Sequence, residues 1–470
     1  MKFYQCTFKR TKPMLIISNG SERGDFIPME YVTRRLGRIH DGVQLMKTYH
    51  PYSPYWSFHQ KISEIQRDPS IQFAWDYEYE DYHPFNLMIE DGDCLPQFVD
   101  VKKAGADIHL TLTMDPNLPD KDIIEVIQSL DGYGRIFLRI NHEANGTWFP
   151  YSKYYSYREV NDFFVRCHKL CKQHSSNIFT LFSVSGDFFA KSLVVNDVFL
   201  RMKADELKGS MEAADYLSID RYVSLHYAWP FAEVLDREKT DTYFDNTVED
   251  WWRIIEECYL SMIYHNKCTM KPLFINEFNA DADVNGVEAQ AEIVGGVYDR
   301  IASGDFKWLA GISLYQFRDH GGLGLQRGDL RTFQDTPSLN VYKDAVKRIQ
   351  YDVDVEDWRE WPHREYTFGW FHSDSIKGLC LSDCGGARRF TNRFPFPVYL
   401  VTEAQEWILL PAGQGADIPP AQRLYIAVPP HTDGQGRLCY SYKLENLGEF
   451  FYQSMAEEVC ATSIRTSSPA

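Results

Sequence analysis

Eight short apolar runs, set apart by helical periodicity or long polar stretches, constrain the fold of this chain more than any other feature. They are Leu15–Ser18, Gln72–Tyr77, Ile108–Met114, Ile136–Ile140, Ile178–Ser183, Tyr216–Tyr222, Pro272–Asn276 and Gly311–Phe317. Each is continuous rather than alternating, the pattern of a strand covered on both faces. Between them lie helical stripes. Asp120 reads as the cap of a helix with Ile123, Ile124, Ile127 and Leu130 on one face, and Tyr157–Gln173 repeats Val160, Phe163, Phe164, Cys167, Leu170 and Cys171. Thr247 opens a third helix through a capping pattern with Asp250, and Val287–Ser303 is a fourth, ended by Gly304. Strand and helix in alternation imply a parallel sheet, and eight repeats imply a closed (β/α)8 barrel over residues 1–348. An open doubly wound sheet is the alternative, but no Gly-rich phosphate turn follows the first strand.

Beyond Arg348 the pattern changes. A charged, Trp-rich linker, Asp352–Glu365, precedes short β-prone runs at Thr367–Phe371, Val398–Thr402, Trp407–Leu410, Leu424–Val428 and Leu438–Tyr442. Turn residues separate these runs, so residues 349–470 read as a linker plus a small antiparallel β-sandwich, with Glu449–Cys460 helical and a disordered Ser/Thr-rich tail.

Composition narrows the partners. With 49 basic against 66 acidic residues the formal charge is −17, which argues against nucleic acid or an anionic membrane surface. No stretch has the apolar length of a membrane span, and Met1–Arg10 lacks the apolar core of a signal peptide, so the expected location is cytoplasmic unless a leader has been removed. The ten cysteines include no zinc spacing and read as free thiols. Aromatic residues are 15% of the chain, and a carbohydrate cleft is one place to use their flat faces.

Two carboxylates end strands at the barrel face where chemistry is expected. Glu143 follows Ile136–Ile140, and Glu277 follows the run that starts at Pro272, strands four and seven by count. Side chains from those strands converge across the mouth, and a pair of carboxyls, one protonated and one ionised, is what glycosidic cleavage requires. Arg139 points inward on strand four, either to orient a carboxylate or to touch substrate. Tyr222 ends strand six, as a partner for Glu277 or as a core ring, and Asp220 shares its neighbourhood. Trp75, Trp148, Tyr227 and Trp229 fall near strand ends, where a ring covers a sugar face or packs a loop. His320–Gly324 reads as a flexible loop over the mouth without a phosphate-cradling lysine, so no cofactor is expected.

The segment Arg139, His142, Glu143, Asn145, Gly146, Trp148, Phe149 closely resembles the strand-four motif of family-26 glycoside hydrolases, within the large clan of retaining (β/α)8 enzymes. Lys271-Pro272 through Glu277-Phe278 resembles that clan's nucleophile segment. The resemblance implies general acid/base work for Glu143, nucleophilic attack by Glu277, a sugar contact at the cleavage point for His142 and one just beyond it for Trp148. With Asn145, Trp229, Tyr315 and Gln316 these complete the expected substrate-binding set; no metal is expected. The chain departs from the family at Asn279, where Gly is usual. It departs again at Phe179 and Phe182 of strand five and at Tyr315, Gln316 and Phe317 of strand eight, where Trp is usual. Two rivals stand beside the hydrolase reading. One is an inactive carbohydrate-binding barrel; the other is a metal-dependent hydrolase using His142, Glu143, Asp220 and His226. The oligomeric state is open.

Overall fold

The computed structural model describes residues 2–10, 12–21, 24–49, 85–87, 94–131, 133–146, 149, 151, 155–186, 204–223, 247–266 and 269–349. Beyond these it describes 353–362, 372–373, 376–377, 379–381, 388–392, 398–402, 406–418, 424–427, 431–432 and 438–439. Eight parallel strands close into a barrel: β2 (Met14–Ser18), β3 (Gly42–Thr48), β4 (Asp107–Thr113), β5 (Ile136–Ile140), β6 (Ile178–Ser185), β7 (Tyr216–Asp220), β8 (Leu273–Phe278) and β9 (Leu309–Leu314). An earlier strand, β1 (Lys2–Arg10), stands outside the barrel.

The second barrel strand corrects the sequence expectation. It is Gly42–Thr48, paired in parallel with β2 and β4, whereas Gln72–Tyr77 lies outside the described residues. Gln44 and Lys47 disguise it, because buried strands seldom carry amides and ammonium groups. Both are buried with partners: Gln44 Oε1 accepts from Asn276, and Lys47 Nζ donates to Gln97 at 2.6 Å.

The outer helices include α1 (Met29–Leu36), α2 (Cys94–Lys103), α3 (Asp120–Ser129), α4 (Tyr157–His174), α5 (Ala204–Ala213) and α6 (Val248–His265). They continue with α7 (Ala282–Asn285), α8 (Val287–Ser303) and α9 (Pro337–Arg348). Asp120 is not a cap: Pro119 holds that position and Asp120 lies in the first turn. Ser156 and Glu159 form a reciprocal capping box on α4, and Thr247 caps α6 as expected, its Oγ1 accepting from Asp250 N at 3.1 Å. Among the described residues no helix is long and apolar enough to cross a membrane.

Two further four-stranded sheets lie outside the barrel, built from strands that follow it in sequence and, in one sheet, from β1. One has the order Lys2–Arg10, Val353–Pro362, Arg388–Asn392, Gly415–Ile418; the other has Leu379–Leu381, Leu424–Ala427, Val398–Thr402, Trp407–Leu410. Within the stretch read as a linker, Val353–Pro362 is a ten-residue strand, antiparallel to β1 along its length. Thr367–Phe371, Glu449–Cys460 and the tail lie outside the described residues.

Candidate active site

The barrel interior is filled in layers, and each strand shows its composition at two-residue steps. The lower layer comprises Ile16, Gly42, His109, Phe137, Leu181, Tyr216, Phe274 and Gly311. His109 stacks on Phe137 with centroids 4.5 Å apart, and Phe274 lies 5.1 Å from Phe137. Glycine is required twice here. A Cβ on Gly42 would stand 2.5 Å from the His109 ring and one on Gly311 2.6 Å from the Phe274 ring. Phe179 stacks on Phe137 and Phe182 turns outward against Phe164, so neither strand-five ring reaches the mouth.

Two residues further along every strand the composition becomes polar: Ser18, Gln44, Thr111, Arg139, Ser183, Ser218, Asn276 and Ser313, all buried. Barrel interiors usually continue with branched apolar residues. This polar girdle instead supplies partners for charge. Arg139 Nε donates to Thr111 Oγ1 at 2.8 Å, Nη1 to Asp220 Oδ2, and Nη2 to Glu277 Oε1. Ser183 Oγ donates to Asp220 Oδ2 at 3.1 Å.

Glu277 reaches the mouth through a register irregularity. Strict alternation would send Asn276 and Glu277 to opposite faces. The pairing of β8 with β9 slips after Ile275, and both neighbours then bond inward, Asn276 to Gln44 and Glu277 to Arg139. Tyr222 completes the grip on Glu277, its hydroxyl donating to Oε2 at 2.8 Å. Burial, reinforced by the Glu277 charge, pushes the Tyr222 phenol well above its ordinary range, so it keeps its proton.

Glu143 is held by a contorted turn. Asn141 and Glu143 have φ of 47° and 55°, the left-handed region that costs a non-glycine residue about 1–2 kcal/mol. Two asparagines fix the turn from either side. Asn141 Oδ1 accepts from Met114 N at 2.8 Å and its Nδ2 donates to Met114 O at 2.9 Å; Asn145 makes the same pair with Ser185, at 2.7 and 3.0 Å. Asn145 is thus turned to the scaffold.

One carboxylate oxygen each of Glu143, Asp220 and Glu277 lie within 4.8 Å of one another. Glu143 and Glu277 keep 8% and 6% of their surface, whereas Asp220 has none, so the outer two are reachable and Asp220 serves from behind. Such a trio has the donors for a cation, but Arg139 already places a fixed positive group between Asp220 and Glu277. His142 Nε2 stands 3.9 Å from Glu277 Oε1, and burial first, then Arg139, lowers its pKa well below the usual imidazole range. It is neutral at ordinary pH.

Met46, Phe149, Tyr151, Tyr222, Tyr315 and Leu323 form a buried apolar cluster that reaches the carboxylates through Tyr222. Tyr315 meets Tyr222 edge-on at 5.7 Å, its hydroxyl is 2.8 Å from Ser21 Oγ, and its peptide bond to Gln316 is cis. Gln316 is fully buried and donates to Asp319 Oδ1 at 3.1 Å. Asn279 holds this strand-eight segment, donating to the carbonyls of Tyr315 and Leu323 at 2.5 and 2.6 Å. The His320–Gly324 loop, expected to be flexible, is tied down: Asp319 Oδ2 accepts from Gly321 N and Leu323 N at 2.8 and 3.2 Å. Sequence reading missed Ser21, Met46, Tyr151 and Asp319; Met46 was lost with its strand, and the Asp-His-Gly-Gly run was the available signal for Asp319. Lys271 acts away from the mouth, its Nζ capping the end of α5 through Met211, Glu212 and Ala214 carbonyls. Trp75, Trp148, His226, Tyr227 and Trp229 lie outside the described residues.

Fold and site together define a (β/α)8 barrel carrying an arginine-braced carboxylate cluster at its C-terminal mouth. Glycoside hydrolases are what this chain is similar to. Endoglucanase H of Acetivibrio thermocellus is 23% identical over 285 residues, 59% of this chain; the match spans about a quarter of that protein (26%). The α-L-arabinofuranosidase of Thermotoga maritima is 11% identical with a TM-score of 0.46, over 90% of this chain and 99% of that one. A family-26 β-mannanase of Bacteroides ovatus is 9% identical with a TM-score of 0.37, over 71% and 87% of the respective chains. No family model matches the chain.

Proposed function

We propose that this protein is a retaining glycoside hydrolase that cleaves a β-linked oligo- or polysaccharide of mannan, xylan or glucan type by double displacement. The observation that carries the reading is the approach of Glu143 and Glu277, with oxygens within 4.8 Å. That is the short side of the separation, about 5–5.5 Å, at which the second carboxylate attacks directly; a water needs roughly 6.5–9.5 Å. The Endoglucanase H match supports the same substrate class.

In the first step Glu277 attacks the anomeric carbon while Glu143 gives its proton to the departing glycosidic oxygen, leaving a glycosyl ester on Glu277. In the second, Glu143 takes a proton from water, the water oxygen attacks the anomeric carbon, and the ester bond breaks to free Glu277. Arg139 and Tyr222 direct one donor to each oxygen of Glu277, fixing its orientation. Neutral His142, 3.9 Å from Glu277, serves as a sugar contact, and Tyr315, packed edge-on against Tyr222, serves as another. Trp148 and Trp229 belong to the same proposed subsites. Asn145 and Gln316, bonded to Ser185 and Asp319, act on substrate through the turns they hold.

We assign residues 1–348 to the catalytic barrel, save the strand Lys2–Arg10 that pairs with Val353–Pro362, and 349–470 to a small β-sandwich that braces it.

The test is chemical rescue. Glu277→Ala should abolish turnover, and Glu143→Ala supplied with azide should release a glycosyl azide of retained configuration. An azide product of inverted configuration would remove the nucleophile assignment.

A further inference from the structure

We infer that the hairpin after the eighth barrel strand carries an outer sugar-binding platform centred on Phe333, taking a pyranose ring of the same glycan remote from the bond that is cut. This rests on the glycosidase reading above. Phe333 belongs to the segment between β9 and α9, hence to a βα loop at the barrel mouth. It is 42% exposed. The other exposed large apolar ring among the described residues, Tyr264, sits near the end of α6, at the opposite end of the barrel.

The platform is built rather than incidental. The covered face of Phe333 rests on the Arg318 guanidinium, with Cζ 3.7 Å from the ring centroid, and its ring meets Tyr31 edge-on at 6.3 Å. Arg318 is buried and fixed, donating from Nε and Nη2 to Gln326 Oε1 at 3.1 and 2.7 Å. Gln326 in turn donates to Asp335 Oδ1 at 2.7 Å, and Phe333 pairs in antiparallel register with Gly328. The hairpin is fastened to the neighbouring mouth loops: Arg327 bridges to Asp283 at 2.9 Å, and Leu330 N donates to Asp25 Oδ2 at 3.1 Å.

A ring that only filled a gap would bury both faces. Here a buried cation braces one face and the residue still keeps 42% of its surface exposed, so a ligand pays little ordering entropy to use it. The apolar C–H face of a neutral sugar suits such a surface. Contacts also link it to the carboxylates. Glu277 bonds Tyr222, Tyr222 packs on Tyr315, and Tyr315 precedes Arg318 by three residues, at most about 11 Å of chain.

The experiment compares the wild type, Phe333→Ala, Phe333→Leu and Phe333→Trp on mannan, xylan and glucan oligosaccharides. In the series that is cut, the shortest hydrolysed oligosaccharide is set against the hexasaccharide. Phe333→Ala should raise KM for the hexasaccharide about three- to tenfold and leave the shortest substrate unchanged. Phe333→Leu, which still covers Arg318 but has no flat face, should behave like Ala; Phe333→Trp should restore the hexasaccharide KM. Equal effects on both lengths, or none, overturn the platform while leaving the hydrolase standing. If the wild type cuts no glycan of the panel, the glycosidase reading falls and the platform with it.

Discussion

Tyr222 and Glu277 meet at 2.8 Å, phenol to carboxylate, and the phenol is the donor. Because burial and the facing anion raise its pKa well above the ordinary phenol range, it keeps its proton at neutral pH and donates. Tyr222→Phe should lower kcat on the order of 100-fold while KM moves little, since one fixed donor to the reacting carboxylate is lost. Steady-state kinetics measures both; an unchanged kcat would remove Tyr222 from the machinery.

Arg139 and Asp220 form an ion pair with 1% and 0% of their side-chain surface exposed. Removing one partner of such a pair typically costs about 3–5 kcal/mol, because the other charge stays buried. Asp220→Asn should therefore lower the urea unfolding free energy by that order, besides loosening the guanidinium from which Glu277 hangs. A variant as stable as the wild type contradicts the geometry.

Acid should weaken the fold early. Burial lowers the pKa of His40 and of His109 to about 3, and that of His142 well below its ordinary value. A histidine whose folded pKa is depressed contributes stability above its unfolded pKa, near 6.5, and loses it as pH falls toward the folded value. His40 and His109 should each cost about 2 kcal/mol at pH 5 relative to neutral pH, and His142 adds a loss of the same sign. Thermal melts between pH 7.5 and 5 read this directly. His109→Phe, which keeps the stack on Phe137, should flatten the curve.

The turn that presents Glu143 should tolerate little change at Asn141. Asn141→Ala removes both bonds to Met114 and leaves an alanine at φ 47°, an expected loss of roughly 2–4 kcal/mol with a lower kcat. Asn141→Gly keeps the backbone permissive and should lose less stability. Melting temperatures of the two variants in the reverse order would show that the backbone is not what Asn141 supports.

The barrel was legible because buried parallel strands leave continuous apolar runs; β5, carrying Arg139, is read to the residue. β3 was not, since Gln44 belongs to the polar girdle and Lys47 to a buried bond with Gln97, and neither leaves an apolar signature. Pairing of Lys2–Arg10 with Val353–Pro362 joins segments about 350 residues apart, and no local periodicity reports a contact of that range. Glu143, Glu277, Arg139, Asp220 and Tyr222 were placed in one neighbourhood by counting strands, and they do share one. The slip after Ile275 that turns Glu277 inward, and the scaffold duties of Asn145 and Gln316, depend on register and hydrogen bonding that residue types do not encode.

Proton NMR of the anomeric signal during hydrolysis, recorded before mutarotation, tests the central proposal most directly. A Glu143–Glu277 pair that works by double displacement must first release product of the same anomeric configuration as the bond cleaved. First product of the opposite configuration would mean that water attacks directly, and that Glu277 is not the nucleophile.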